Sequence, residues 1–79
     1  MRLVAEFTTE PFEVEGSPPA HVTEALRAAE EAGLECEFGP LGTQVRGEQA
    51  DVLAALPKVL EAAFAGGASQ VTLQVRHDA

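Results

Sequence analysis

Tryptophan, tyrosine and asparagine are absent from this 79-residue chain, cysteine and methionine occur once each, and only five residues are lysine or arginine. Each shortage removes a class of function. With one cysteine, Cys36, there is no internal disulfide and no Cys-x-x-Cys metal or redox site, which fits a reducing cytoplasm. With no asparagine an acylphosphatase-like site is missing a necessary group. Five basic residues against 13 acidic ones give a net charge of −8, which opposes binding to a phosphate backbone. Four phenylalanines are the whole aromatic supply, too few for a base-stacking platform. Nucleic acid is therefore not an expected partner. No apolar run approaches the ~20 residues that cross a bilayer, and Met1 leads straight into an alternating pattern containing Glu6, so neither a membrane partner nor a signal peptide is expected.

What is present is regular alternation and two helical stripes. Leu3, Ala5 and Phe7 alternate with Val4, Glu6 and Thr8, the two-residue period of a strand. Pro11 ends it, and a loop follows, with an extended piece over Phe12–Val14. Ser17-Pro18 reads as a helix N-cap and first turn. Val22, Ala25, Leu26, Ala29 and Ala32 form the buried stripe of that helix, His21, Glu24, Arg27, Glu30 and Glu31 its outer side, and Gly33 its stop. Leu34, Cys36 and Phe38 then alternate with Glu35 and Glu37. After the turn formers Gly39-Pro40-Leu41-Gly42, Thr43, Val45 and Gly47 alternate with Gln44, Arg46 and Glu48, so a β-hairpin is expected. A second helix over Gln49–Ala65 carries Val52, Leu53, Leu56, Leu60, Ala63 and Phe64. Pro57 lies inside it and predicts a kink or a break. Val71, Leu73 and Val75 complete the pattern as a last strand.

This order in one domain, residues 1–79, predicts an α+β fold: a ferredoxin-like βαββαβ plait with an antiparallel sheet ordered 4-1-3-2 and both helices on one face. In that order the outward charges Arg76, Glu6, Arg46 and Glu37 alternate in sign across the sheet, as cross-strand pairing would require. Leu34, Cys36, Phe38, Leu73 and Val75 belong to the predicted core. A chain this short buries only about 60% of its unfolded surface, so self-association through a strand edge or the open sheet face is expected.

The chemistry-bearing residues are few. His21 and His77 have no zinc-site spacing and no Ser-His-acid arrangement, and read as surface histidines. Cys36 reads as a small packing residue. Glu35 and Glu37, two apart on one strand, share a face with Arg46 and read as a solvated ion-pair face. Gly39–Thr43 lacks the lysine and following helix of a phosphate loop. No catalytic residue, metal site or cofactor is expected.

The succession Gly33-Leu34, Pro40-x-Gly42-Thr43, Gly47-Glu48 and Phe64-x-x-Gly67, threaded through alternating strands, resembles the small thiamine-binding family. The resemblance spans nearly the whole chain. It implies a homodimeric or homotetrameric protein that binds thiamine or its hydroxymethylpyrimidine portion without transforming it. A pyrimidine needs a flat cradle and directed hydrogen bonds, and a thiazolium cation gains from nearby carboxylates. On that basis the candidate ligand-binding residues are Phe7, Glu37, Gly42, Thr43 and Arg46. Three positions depart from the family pattern: Arg46 stands where a glutamate is frequent, Leu60 where a histidine precedes Glu61, and Gln70 where an arginine is expected. Arg46 would repel a thiazolium ring. Two other readings remain open: a structural or regulatory homo-oligomeric interaction module with no thiamine binding, and an enzyme whose site is assembled between subunits.

Overall fold

A computed structural model describes residues 1–11, 19–39 and 42–78. The expected pieces at Phe12–Val14 and Ser17-Pro18 lie outside the described residues, as does the Pro40-Leu41 centre of the hairpin turn. The order is β1 (Arg2–Glu10), α1 (Ala20–Glu31), β2 (Glu35–Gly39), β3 (Gly42–Glu48), α2 (Gln49–Ala65) and β4 (Gln70–His77). The four strands form one antiparallel sheet in the order β2-β3-β1-β4, as the sequence pattern predicts and in keeping with a ferredoxin-like plait. Among the described residues no helix is long and apolar enough to cross a membrane.

Strand β1 occupies the interior of the sheet, bonded to β3 on one side and β4 on the other. Its odd-numbered residues Leu3, Ala5 and Phe7 share one hydrophobic cluster with Val45 of β3, with Ala25 and Ala29 of α1, and with Val52, Ala55, Leu56, Val59 and Ala63 of α2. Alanines on α1 allow a close approach to its neighbours, which narrows the space between layers. Gly66, at the end of α2, shows the same economy: a Cβ there would lie 2.8 Å from the Cα of His21. Gly33, at φ 83°, closes α1, and Leu34 N–H returns to the Ala29 carbonyl.

Four expectations are corrected. First, α1 begins at Ala20 with Pro19 in the N-cap position and no side-chain cap. Second, of the kink or break expected at Pro57, the break does not occur: α2 runs as one helix from Gln49 to Ala65. Proline is exposed there, on the outer side of α2, so the ring and the carbonyl it frees can face water instead of breaking the core contacts. Third, the outer strands are only partly covered. Phe38 on β2 is 50% exposed, and Leu73 and Val75 on β4 are 37% and 39% exposed, although their parity matches the core side. The apolar cluster draws on Leu3, Ala5, Phe7 and Val45 of the two interior strands and leaves the margins of the sheet open.

Fourth, His21 is not a surface residue. It is 3% exposed and its Nδ1 stands 2.6 Å from the Oγ1 of Thr9, itself 5% exposed; the tautomer decides which of the two donates. Two-residue alternation puts Thr9 on the core side of β1, and the α1 stripe runs His21, Ala25, Ala29. The pair therefore ties the end of β1 to the first turn of α1. Nε2 has no partner among the described residues.

Leaving a buried polar group unpaired costs about 1–3 kcal/mol, whereas replacing both partners by apolar groups is close to neutral. Thr9→Val is accordingly expected to lower stability by about 1–3 kcal/mol, and Thr9→Val/His21→Leu to recover much of that loss. Thermal or denaturant unfolding of the two variants decides it; an unchanged Thr9→Val would remove the pair from the account.

Candidate ligand site on the polar face of the sheet

The side of the sheet opposite the apolar cluster is built from even-numbered residues of β1, β3 and β4 and odd-numbered ones of β2. Register sets them in rows. Glu6 faces Gln44 on β3 and Gln74 on β4, and Gln44 faces Glu37 on β2. In the next row Val4 lies between Arg46 and Arg76, and Arg46 faces Glu35. Val4 is fully buried although it belongs to this polar side. The aliphatic stems of the two flanking arginines are placed to cover it while their charged ends reach water.

The expected charge ladder therefore forms only in part. Both arginines stand one row away from Glu6; Arg76 Nη2 reaches it diagonally and donates to Oε1 at 3.1 Å, whereas Arg46 has no described bond to Glu6 or Glu37. A two-residue displacement preserves which face a side chain occupies, so alternation alone could not reveal it. Gln44 fills the gap: its Nε2 donates to Glu6 Oε1 at 3.0 Å, and its Oε1 accepts from Arg46 Nη2 at 3.2 Å. Arg46 also lies 4.0 Å from Asp78, while Arg2 pairs with Glu35 at 3.4 Å. The hydrogen bond from Arg76, aided by that from Gln44, holds the Glu6 carboxyl below the usual carboxylate value. Both described bonds use Oε1, and Oε2 has no partner among the described residues.

Described residues on this side line two depressions. One, of about 320 Å³, is lined by β1 at Glu6, Phe7 and Thr8, by the hairpin at Gly39, Gly42, Thr43 and Gln44, and by Thr72 and Gln74 of β4. The other, of about 350 Å³, is lined by Glu35, Cys36, Glu37, Gln44 and Arg46. Gln44 borders both. The sizes suit a single heteroaromatic ring each, at the small end of ligand sites.

Of the five sequence-selected residues, Phe7, Gly42 and Thr43 line the first depression, and Glu37 and Arg46 the second. Phe7 is only 3% exposed and belongs to the core cluster, so it offers no open ring face for stacking. Gly42 is required where it stands. Its φ is 149°, and a Cβ would fall 2.8 Å from Thr8 Cγ2 and 2.9 Å from the Phe7 carbonyl oxygen, filling the depression's wall. Glu6, Thr8, Gln44, Thr72 and Gln74 were not among the candidates. Alternation did place them on the outward side; only the strand register brings them around one hollow. Cys36 is half-buried, and burial, with Glu30 adding to it, pushes its thiol up, so it stays protonated and a poor nucleophile.

A lowered carboxyl pKa in the folded state means that Glu6 contributes stability above the ordinary carboxylate range and loses that contribution as the pH falls through its own value. Side-chain NMR is expected to give Glu6 a titration midpoint below 4.5. Arg76→Met should raise that midpoint; a midpoint at or above 4.5 in the native chain would deny the described hydrogen bonds.

Comparison with known proteins gives a consistent outcome. The sequence profile of a family described as "Thiamine-binding protein" matches residues 5–79. No curated protein matches the chain. Among solved structures, a protein of Thermotoga maritima proposed to act in thiamine biosynthesis or salvage superimposes with a TM-score of 0.70 at 19% identity, covering 100% of this chain and 84% of that one. A Streptococcus pneumoniae protein gives 0.72 at 18% identity, covering 100% and 87%, and a hypothetical protein of Methanocaldococcus jannascii gives 0.70 at 20%, covering 99% and 79%. At these identities the structural likeness establishes the fold.

Proposed function

Because the chain belongs to the thiamine-binding protein family, we propose that it is a non-catalytic cytoplasmic protein that binds thiamine or its hydroxymethylpyrimidine portion on the polar face of a ferredoxin-like plait whose two helices share the other face. The observation that carries this reading is the hollow around Glu6. An ionised carboxylate there lies between two carboxamides, Gln44 and Gln74, with Thr8 and Thr72 beside them. An aminopyrimidine edge offers an N–H donor and ring-nitrogen acceptors. Carboxylates accept, and carboxamides both donate and accept, so the two sets are complementary.

Arg46 does not defeat the thiazolium end of the molecule. It is already engaged by Gln44 and lies near Asp78, and it shares the second depression with Glu35 and Glu37. Glu35 is paired with Arg2, so Glu37 is the carboxylate of that hollow with no ion pair among the described residues, and it is the group that can face a cation. In this reading Gly42 shapes the wall, the Thr43 segment and Phe7 form its base, and Glu37 faces the cationic ring.

A competing reading, a homo-oligomeric interaction module without ligand, draws support from the exposed apolar residues Leu73 and Val75 on β4. Calorimetric titration separates the two. Thiamine and hydroxymethylpyrimidine are both expected to bind saturably in the micromolar range, with Glu6→Gln weakening each about tenfold or more, since charge-assisted hydrogen bonds contribute about 1.5–3 kcal/mol. Glu37→Gln should weaken thiamine and spare the pyrimidine. No heat and no thermal stabilisation at millimolar ligand would overturn the binding reading.

A further inference from the structure

A polar chain crosses the sheet from Asp78 through Arg46, Gln44 and Glu6 to Arg76. Arg46 Nη1 lies 4.0 Å from Asp78 Oδ1, and its Nη2 donates to Gln44 Oε1 at 3.2 Å. Gln44 Nε2 in turn donates to Glu6 Oε1 at 3.0 Å. Asp78 is itself pinned, because its N–H bonds the Arg2 carbonyl at 3.0 Å. The two ends of the Gln44 amide therefore meet groups of opposite character. A guanidinium only donates, and an ionised carboxylate only accepts. Turned over, the amide would set its oxygen against the carboxylate and its NH2 against the guanidinium. The two ends of a carboxamide are nearly alike in shape, so partners of this kind are what fix its sense.

The fixed sense determines what is left over. Oε1 of Gln44 accepts from Arg46, whereas Nε2 carries two hydrogens and spends one on Glu6. Glu37 faces Gln44 from β2 but takes neither hydrogen among the described residues. Gln44 and Glu6, whose Oε2 is also without a described partner, both line the 320 Å³ hollow. Its wall thus holds one amide donor beside one anionic acceptor. The matching edge has an N–H beside a bare ring nitrogen, and a ring protonated at that nitrogen no longer suits the donor.

We propose that Gln44 binds the ligand by donating Nε2–H to the ring nitrogen beside the exocyclic amine, that this amine donates to Glu6 Oε2, and that Arg46 is the positioning residue that keeps Gln44 in its donating sense. This assignment rests on the binding reading above and deepens it: the neutral aminopyrimidine is bound in preference to its protonated form. A carboxylate at position 46 would reverse the preference. It would draw the second N–H away, leave Oε1 for the hollow and suit a protonated ring, which offers two donors. The charged groups around the hollow are Glu6 on β1, Glu35 and Glu37 on β2, Arg46 on β3, Arg76 on β4 and Asp78 just past it. Arg76 already pairs with Glu6, so the Gln44 donor decides the balance.

The chain has no tryptophan or tyrosine, so the near-ultraviolet band of bound hydroxymethylpyrimidine can be read against it and its protonation followed directly. In the native chain the bound ring is expected to protonate about one pH unit or more below the free ring, a tenfold preference for the neutral form, and affinity to fall as the pH drops through the free ring's own value. Gln44→Met leaves Arg46 and Glu6 in place; it should bind about three- to tenfold more weakly and lose that depression. Arg46→Glu should invert the depression, and Arg46→Lys, which also only donates, should keep it. A bound ring that protonates at or above the free value in the native chain overturns the proposal, as does Gln44→Met with the native depression, and in either case binding itself stands. A native chain that binds no hydroxymethylpyrimidine overturns the binding reading and this assignment with it.

Discussion

The alternation of β1 is the constraint on which the rest of the molecule depends. This strand is paired on both sides, so its backbone is satisfied and its residues have only two directions available. Leu3, Ala5 and Phe7 go to the apolar cluster, and Glu6 and Thr8 to the other side. A one-residue slip would place Glu6 among Val52 and Val59 and expose Phe7 to water. Burying an unpaired carboxylate costs far more than any surface pair returns, so the cluster under the helices also determines which groups surround the hollow.

Size explains the margins. Residues of both helices share one apolar cluster with Leu3, Ala5 and Phe7 of β1 and Val45 of β3, the two interior strands, while Phe38 on β2 and Leu73 and Val75 on β4 stay partly in water. Apolar surface of this kind is a cost for a small monomer and an asset for an assembly. The polar face has no comparable deficit: Arg46, Gln44, Glu6 and Arg76 form a continuous hydrogen-bonded chain across three strands. Individually such exposed bonds add little stability. Their consequence is positional, holding a carboxylate ionised and oriented over a ring-sized hollow.

The fold was largely legible because periodicity reports on faces. Strand boundaries, α2 from Gln49 to Ala65, the stop at Gly33 and the sheet order all follow from spacing, glycine placement and element order. What alternation cannot report is how far a face is covered, and so Phe38, Leu73 and Val75 were assigned to the core. Nor does it report register: Arg46 was expected opposite Glu6, where Gln44 stands. His21 was misread because histidine in a helix rich in glutamate looks solvated; its partner Thr9 is twelve residues earlier, on another element. For the site, a motif centred on Gly42 and Thr43 found one wall, while Glu6, Gln44, Thr72 and Gln74 come from three strands that only the folded sheet brings together.

The central claim is that the polar face of the sheet is where a small heteroaromatic ligand binds. Backbone amide NMR during titration with hydroxymethylpyrimidine tests it most directly, because it locates the ligand without altering the protein. The account predicts that perturbations concentrate at Glu6, Thr8, Gly42, Gln44, Thr72 and Gln74 and leave the outer surfaces of α1 and α2 unchanged. Perturbations centred on the helices, or none at millimolar ligand, would contradict it.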